Sequence, residues 1–385
     1  MDAEAIAKHA RARFAAYVNE HVNPGSDERD RAGTTFSREM LREAARAGLW
    51  GLGMPKACGG GGANAFEWGI ALEQLGYLAD DGSFPLVVSI RAAIANAIHN
   101  AGRADLDERY VQPMVRCELF GSFAYSDGAD PFAFNSHAER DGKDWIAHGE
   151  KLLVTGGASA DVFMTYLRLQ GSGDLIVLLI EANDPGVSVT PVDVTGLRAA
   201  GLSSLKLDGV RIPAERVLCD EDGVSHAQRF LNERRTLLAC GALGRMQAVF
   251  EMCIDSLDQT VRYGKQLVEM QNVQATFGRM YAGIESARAL THFSLRRQAG
   301  LAPGFDPMFD PIGAAAKYTI SERAIEISTR AFRLLGGKGY VRDQRIERYV
   351  RDFYGLLAGG GSQDVLEVDL GIDAISHYHR MKQAR

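Results

Sequence analysis

The chain has 385 residues, of which 46% are hydrophobic, 24% charged and 8% aromatic. That length suits about two to three domains, and the composition excludes collagen-like, disordered and disulfide-scaffold classes. A net charge of −6 and a pI near 5.9 argue against a general nucleic-acid binder.

In chain order, Met1 to Arg13 is mixed in charge and rich in alanine. It lacks the apolar core and cleavage site of a secretory signal. No run of about 18 apolar residues follows anywhere, so no membrane span is expected. Residues 1–118 read as a helical domain. Met40, Leu41, Ala44, Ala45 and Leu49 recur at helical spacing within Ser37–Leu49, as do Phe66, Ile70, Leu72 and Leu75 within Phe66–Leu78. The run Cys58–Ala63, with four consecutive glycines, predicts a loop between them.

Residues 119–222 change to strand patterning. Trp145–Gly149, Val162–Leu167, Leu175–Ile180 and Lys206–Ile212 are short runs rich in β-branched, aromatic or aliphatic residues. Asp141-Gly142, Gly171–Asp174 and Asp184-Pro185-Gly186 punctuate them. Turns rather than long helices separate these runs, which predicts an antiparallel β-domain. Residues 223–385 return to helical patterning over Glu233–Arg262, Asn272–Gln298, Gly313–Leu335 and Asp364–Arg380, with a proline-rich break at Pro303–Pro311. Four long helices predict a C-terminal four-helix bundle. The expected fold class is therefore α+β and multi-domain: helical 1–118, antiparallel β 119–222, four-helix bundle 223–385.

The five cysteines, Cys58, Cys117, Cys219, Cys240 and Cys253, form no C-x-x-C or C-x-x-H pair. Neither a zinc framework nor disulfides are expected, and reduced thiols place the chain in the cytoplasm. His377 and His379 alone are too few for a metal centre. There is no G-x-x-x-x-G-K-[ST] phosphate loop and no G-x-S-x-G elbow. The glycine runs Gly59–Gly62 and Gly359–Gly361 do not open a helix after a strand in a βαβ unit, as a dinucleotide fold requires.

Longer signals carry more. They are Gly149–Asp161, Gly196–Gly201 with Val210–Glu215, Arg262–Leu267 with Gln271, and Leu335–Tyr340 with Ile346–Arg348 and Arg351-Asp352. In this order and spacing, from about Phe36 to Gly371, they resemble the acyl-CoA dehydrogenase family. The resemblance implies a helical domain, a β-domain and a helical bundle, with FAD between the last two. It also implies an acyl-CoA or acyl-carrier thioester as substrate, an electron-transfer acceptor and an oligomeric assembly. In that chemistry a carboxylate removes the α-proton of the thioester while the flavin takes the β-hydride.

Carried over by position, the resemblance implies cofactor roles for Ser126, Leu153, Thr155, Arg262, Gln271, Arg333, Gly336, Gly337, Ser362 and Gln363. Arg235 matches the arginine at the substrate. Leu153 stands where the family usually has tryptophan, Thr260 where it has arginine, and Arg333 where it has glutamine. Asp130-Pro131 matches the end of the family's T-E-P-x-x-G-S-D loop, with Ala129 for the usual serine. The main departure concerns the general base. Aligned on Ser362-Gln363, the family's glutamate position is Gly359. The alternative position, just before the arginine matched by Arg235, is Arg234, which cannot serve as a base. Glu233, one residue earlier, lies about 100° around a helix from it.

Three readings follow. One is the base-lacking subunit of a hetero-oligomeric dehydrogenase, paired with a base-containing paralogue. Another is a self-sufficient flavoenzyme with altered chemistry, either a flavin-dependent hydroxylase or a dehydrogenase of a carrier-bound substrate. The last is a flavin-free binding scaffold.

Overall fold

The computed structural model describes residues 2–128 and 134–383. The N-terminal part is helical: α1 (Ala3–Tyr17), α2 (Ser26–Ala32), α3 (Arg38–Arg46), α4 (Ala65–Leu78), α5 (Ser83–His99), the single turn α6 (Ala104–Leu106) and α7 (Gln112–Val115). Local chemistry sets the ends. Asp2 caps α1 through Ala5 N–H at 2.8 Å. Asn64 and Glu67 form a reciprocal capping box on α4, which satisfies amides that no helical carbonyl reaches. The periodicity read over Ser37–Leu49 and Phe66–Leu78 becomes α3 and α4. The alanine-rich Met1–Arg13 segment lies largely in α1.

The strands are β1 (Gly121–Ala124), β2 (His137–Asp141), β3 (Asp144–Val154), β4 (Val162–Leu169), β5 (Leu175–Glu181), β6 (Val187–Pro191), β7 (Ser203–Ile212) and β8 (Val217–Cys219). They form one sheet in the order β6-β7-β3-β2-β4-β5-β8, with β1 also paired to β4. The expectation of an antiparallel domain needs correction, because β1 and β2 each pair with β4 in parallel. Those two short strands carry no distinctive alternation, so their direction could not be read. The unbroken apolar runs of β4 and β5 have a clear cause. Val162, Met164 and Tyr166 face the helical core, while Phe163 and Leu167 face the core of the β-domain. A strand covered on both faces is apolar throughout.

The C-terminal part contains α8 (Gly223–Asp258), the hairpin strands β9 (Val261–Arg262) and β10 (Lys265–Gln266), α9 (Gln271–Gln298), α10 (Pro311–Leu335), α11 (Ile346–Tyr354) and α12 (Gln363–Gln383). Three details differ from expectation. Helix α8 begins ten residues before Glu233, through weak helix formers such as Ser225 and Asn232, and it stops before Val261. Arg262 is consequently on a strand, ahead of a turn with positive φ at Tyr263 (53°) and Gly264 (79°), the pattern of a two-residue hairpin turn. Helix α12 is peripheral, burying only Gln363 and Leu366, so α8, α9 and α10 with the added α11 make the bundle core. The proline-rich break ends where Asp310 caps α10 and Pro311 takes its first position, where a missing N–H is harmless.

An 18-residue window of α8 has a mean hydropathy of 1.4, in the range of a membrane span, with 56% of it buried inside the protein. Packing against α4 and α10 accounts for that composition. The α4–α8 crossing depends on glycine. A Cβ on Gly76 would lie 1.9 Å from the Gly241 carbonyl oxygen, and one on Gly244 would lie 1.8 Å from that of Glu73.

Candidate active site

A cleft of about 1180 Å³ opens where the β-domain, α5, α8 and the segment from α11 into α12 meet. One wall comes from the end of β3. The β3–β7 register shifts between Lys151 and Val154, and Leu153 takes a left-handed φ of 54° with its side chain 52% exposed. A bulge with a strained non-glycine residue beside a cleft is a common way to aim a side chain. Neighbouring bonds fix this wall. Leu152 N–H donates to the Ser126 carbonyl at 2.7 Å, and the Ser122 hydroxyl donates to the Thr155 carbonyl at 2.5 Å. Beneath it, the fully buried Lys151 ammonium donates to the Tyr125 carbonyl at 2.8 Å and lies 3.6 Å from Asp127. Burial pulls its pKa down to about 7 despite Asp127.

The second wall joins two of the motifs. Asp352 is buried and accepts from Leu197 N–H at 2.6 Å and from Arg245 at 3.0 Å. Its pKa is pushed up to about 6 by burial, against the pull of Arg245. Arg351 donates to the Thr195 carbonyl at 2.8 Å and pairs with Asp30 at 2.7 Å. The Arg351-Asp352 pair thus pins the Val194–Leu197 loop against the cleft. A Cβ on Gly196 would lie 2.3 Å from the Arg351 carbonyl, which explains the glycine.

The glycine run forms the third wall. Arg235 donates to the Gly360 carbonyl at 2.9 Å and to Asn232 at 3.1 Å. Lys317 donates to the Gly361 carbonyl at 2.7 Å and to Gln363 at 2.9 Å, with its pKa drawn down to about 8 by burial first and Arg235 second. Gly360 and Gly361 have φ of 73° and 101°, whereas Gly359 has no such constraint. A Cβ there would meet Leu238 Cδ2 at 3.5 Å and the Gly355 carbonyl at 3.6 Å, both ordinary contacts.

Of the residues singled out from sequence, the cleft gathers Ser126, Leu153, Thr155, Arg234, Arg235, Gly359 and Ser362. Glu233 is absent from this lining, and its carbonyl accepts from Gln298 at 2.6 Å. The Gln363 amide is engaged by Lys317, by Glu322 at 3.0 Å and by the Tyr318 carbonyl. Arg262, Gln271, Arg333, Gly336 and Gly337 lie outside the cleft on exposed positions. A Cβ on Gly336 or Gly337 would meet nothing within 4 Å, so packing does not demand glycine there, although the φ of 56° at Gly336 does. Ala129, Asp130 and Pro131 fall outside the described residues.

Sequence reasoning missed the contribution of α12. Asp369, Asp373 and Arg380 line the cleft with Val365 and Ser376, and their spacing of three or four residues was the available signal. The other side of α12 exposes Val368, Ile375, Tyr378 and Met381, each at least 48% accessible. Also unforeseen, Cys58, His99 and Asp107 bring a thiol, an imidazole and a carboxylate within 4.8 Å of one another. The His99 Nδ1–Asp107 contact is 2.8 Å.

A helical domain, a sheet domain and a helical bundle enclosing one cleft define the architecture of the acyl-CoA dehydrogenases. Three domain profiles of that family match in order: the N-terminal domain over residues 5–118, the middle domain over 125–210 and the C-terminal domain over 221–371. The chain belongs to the acyl-CoA dehydrogenase family of oxidoreductases. It is 28% identical over 364 residues to benzylmalonyl-CoA dehydrogenase of Aromatoleum aromaticum, covering 92% of this chain and 94% of that protein. Butyryl-CoA dehydrogenase of Megasphaera elsdenii shares the fold with a TM-score of 0.89 at 23% identity, over 96% of this chain and 98% of that one. A glutaryl-CoA dehydrogenase of Mycobacterium smegmatis, solved in complex with FADH2, has a TM-score of 0.87 at 23% identity, over 95% and 93% of the two chains.

Proposed function

We propose that this chain is an FAD-binding subunit acting in the α,β-dehydrogenation of an acyl thioester, and that it works beside a paralogue that carries the general base. The observation that carries this reading is the cleft itself. At the two positions where the family resemblance looks for a carboxylate, it presents Gly359, which has no side chain, and Arg234, a cation. Leu238, one helical turn after Arg234 on α8, touches the space next to Gly359, so both positions belong to the same side of the cleft.

The residues present suit a flavin. The cleft exceeds the roughly 300–1,000 Å³ of ordinary small-molecule sites. Leu153 projects into it from a strained bulge, and the Ser126 and Thr155 hydroxyls lie alongside. Ser126, Leu153 and Thr155 would hold the ring system, and a flavin bound there supplies hydride acceptance. The chain's own residues position the substrate. Arg235 and Lys317 fix the glycine loop, while the Arg351-Asp352 pair holds the Val194–Leu197 loop. Phe230, Leu231 and Phe309 exclude water from an acyl chain. The exposed set Arg262, Gln271, Arg333, Gly336 and Gly337 would serve the diphosphate end across a subunit interface. The exposed apolar side chains of α12 support assembly with another subunit.

A second reading rests on Asp369 and Asp373, the carboxylates that α12 adds to the cleft lining. If either acts as the base, the chain is a self-sufficient flavoenzyme. Purification of the chain alone and with a co-expressed base-containing paralogue separates the two. The first reading expects acyl-CoA to bleach the flavin only in the mixed assembly. Bleaching by the chain alone, lost on Asp369→Asn, favours the second.

A further inference from the structure

Arg234, half-buried at the edge of the cleft, stands apart from the buried arginines. Arg91 donates to the carbonyls of Gly121 and Gly156, Arg245 pairs with Asp352, Arg297 with Asp310, and Arg216 with Asp184. Its neighbour Arg235 donates to Gly360 and Asn232. The Arg234 guanidinium has no hydrogen bond or salt bridge among the described residues. Its Nε lacks an acceptor, as in Arg91, Arg216 and Arg245, but those three have partners at their terminal nitrogens; its near neighbour is the ring of Phe230, 6.0 Å away. Burial lowers its pKa, and Glu233 alone opposes that. The side chain lines the cleft. A half-buried guanidinium with no partner among the described residues keeps its donors free for a ligand, and a ligand that covers it without a counter-charge incurs a severe penalty.

The geometry points to Arg234 as the recognition site for a carboxylate on the acyl portion of the substrate, so that this cleft takes thioesters of dicarboxylic acids. The inference rests on reading the cleft as an acyl-thioester site. A planar guanidinium with five N–H donors matches a carboxylate through two parallel bonds. Phe230, Leu231, Leu238, Met308 and Phe309 line the same cleft, with Leu231 and Leu238 one turn to either side of Arg234 on α8. Such apolar surroundings suit an acyl chain and are unsuited to the hydrated diphosphate of coenzyme A. Asp369 and Asp373 also line the cleft, yet neither forms an ion pair with Arg234.

The test is calorimetric binding to the flavin-loaded protein, without an electron acceptor, of succinyl-CoA, butyryl-CoA and coenzyme A. The two acyl groups have the same number of carbons and differ in the terminal carboxylate. The wild type is expected to bind succinyl-CoA at least about tenfold more tightly than butyryl-CoA, as a charge-assisted pair provides. Arg234→Leu should abolish or reverse that preference, and Arg234→Lys should keep part of it. Coenzyme A affinity and flavin content should stay level in both variants. Equal binding of the two thioesters by the wild type overturns the inference and leaves the acyl-thioester reading intact. A preference that survives Arg234→Leu overturns it too, as does flavin loss or weakened coenzyme A binding in that variant, since the cation then serves another group. If neither thioester binds the wild type, the acyl-thioester reading fails and the inference with it.

Discussion

On the proposed function, placing a carboxylate at Gly359 should give the chain an α-proton base of its own. The position tolerates a side chain. Its φ lies outside the left-handed range, and the added Cβ meets neighbours at 3.5 and 3.6 Å, which requires no displacement. The next two glycines are different, with φ of 73° and 101°, where any L side chain is strained. General-base catalysis contributes about 10²–10⁴-fold, or roughly 3–5.5 kcal/mol of barrier. Gly359→Glu is therefore expected to raise the rate of anaerobic flavin bleaching by an acyl-CoA by about 10²-fold or more, at a stability change within about 1 kcal/mol. Stopped-flow absorbance of the flavin band measures the rate, and urea unfolding checks the fold. A folded, flavin-loaded Gly359→Glu protein with an unchanged rate would refute the reasoning. So would equal activation by Gly360→Glu, because the gain would then not depend on the one unstrained position.

Further outcomes follow from the packing and charges. Lys317 titrates near pH 8 in the folded protein against an ordinary value of about 10.5. Between these values the unfolded chain holds more protons, so this group adds stability as pH rises, by up to about 3 kcal/mol. Comparing urea midpoints of wild type and Lys317→Met from pH 7.5 to 10 should show a rise specific to the wild type, and parallel curves would contradict it. Gly244→Ala forces a methyl to within 1.8 Å of the Glu73 carbonyl oxygen and should destabilise the α4–α8 crossing by about 1–3 kcal/mol, measurable as a lower thermal midpoint. Val368→Lys with Ile375→Lys, both about 60% exposed on the outer side of α12, should lower the mass of the assembly in light scattering without lowering the stability of the subunit. A drop in subunit stability would place these side chains in the chain's own core.

Helical periodicity made α3, α4, α9 and α10 legible, and turn chemistry marked off β4 and β5. Parallel pairing of β1 and β2 with β4 was hidden, because four- and five-residue strands carry too little alternation to reveal direction. The positions of Thr155, Arg235 and Gly359 in one cleft were anticipated by motif order. The strain at Leu153 was not, since it arises from a register shift between two strands distant in sequence. Nor was the pairing of Arg351-Asp352 with the Gly196-Leu197 loop, which joins segments about 155 residues apart. That Arg234 has no hydrogen-bond or ion-pair partner among the described residues is equally invisible in sequence, as it depends on what surrounds a side chain rather than on the residue.

The proposed function requires that this cleft hold an acyl thioester without a group that removes its α-proton. Incubating the flavin-loaded chain with an acyl-CoA in heavy water, anaerobically, and following deuterium at the α-carbon by NMR tests that claim without requiring turnover. Exchange no faster than in buffer is expected for the chain alone, and faster exchange for Gly359→Glu. Rapid exchange by the unmodified chain, lost on Asp369→Asn or Asp373→Asn, would contradict it.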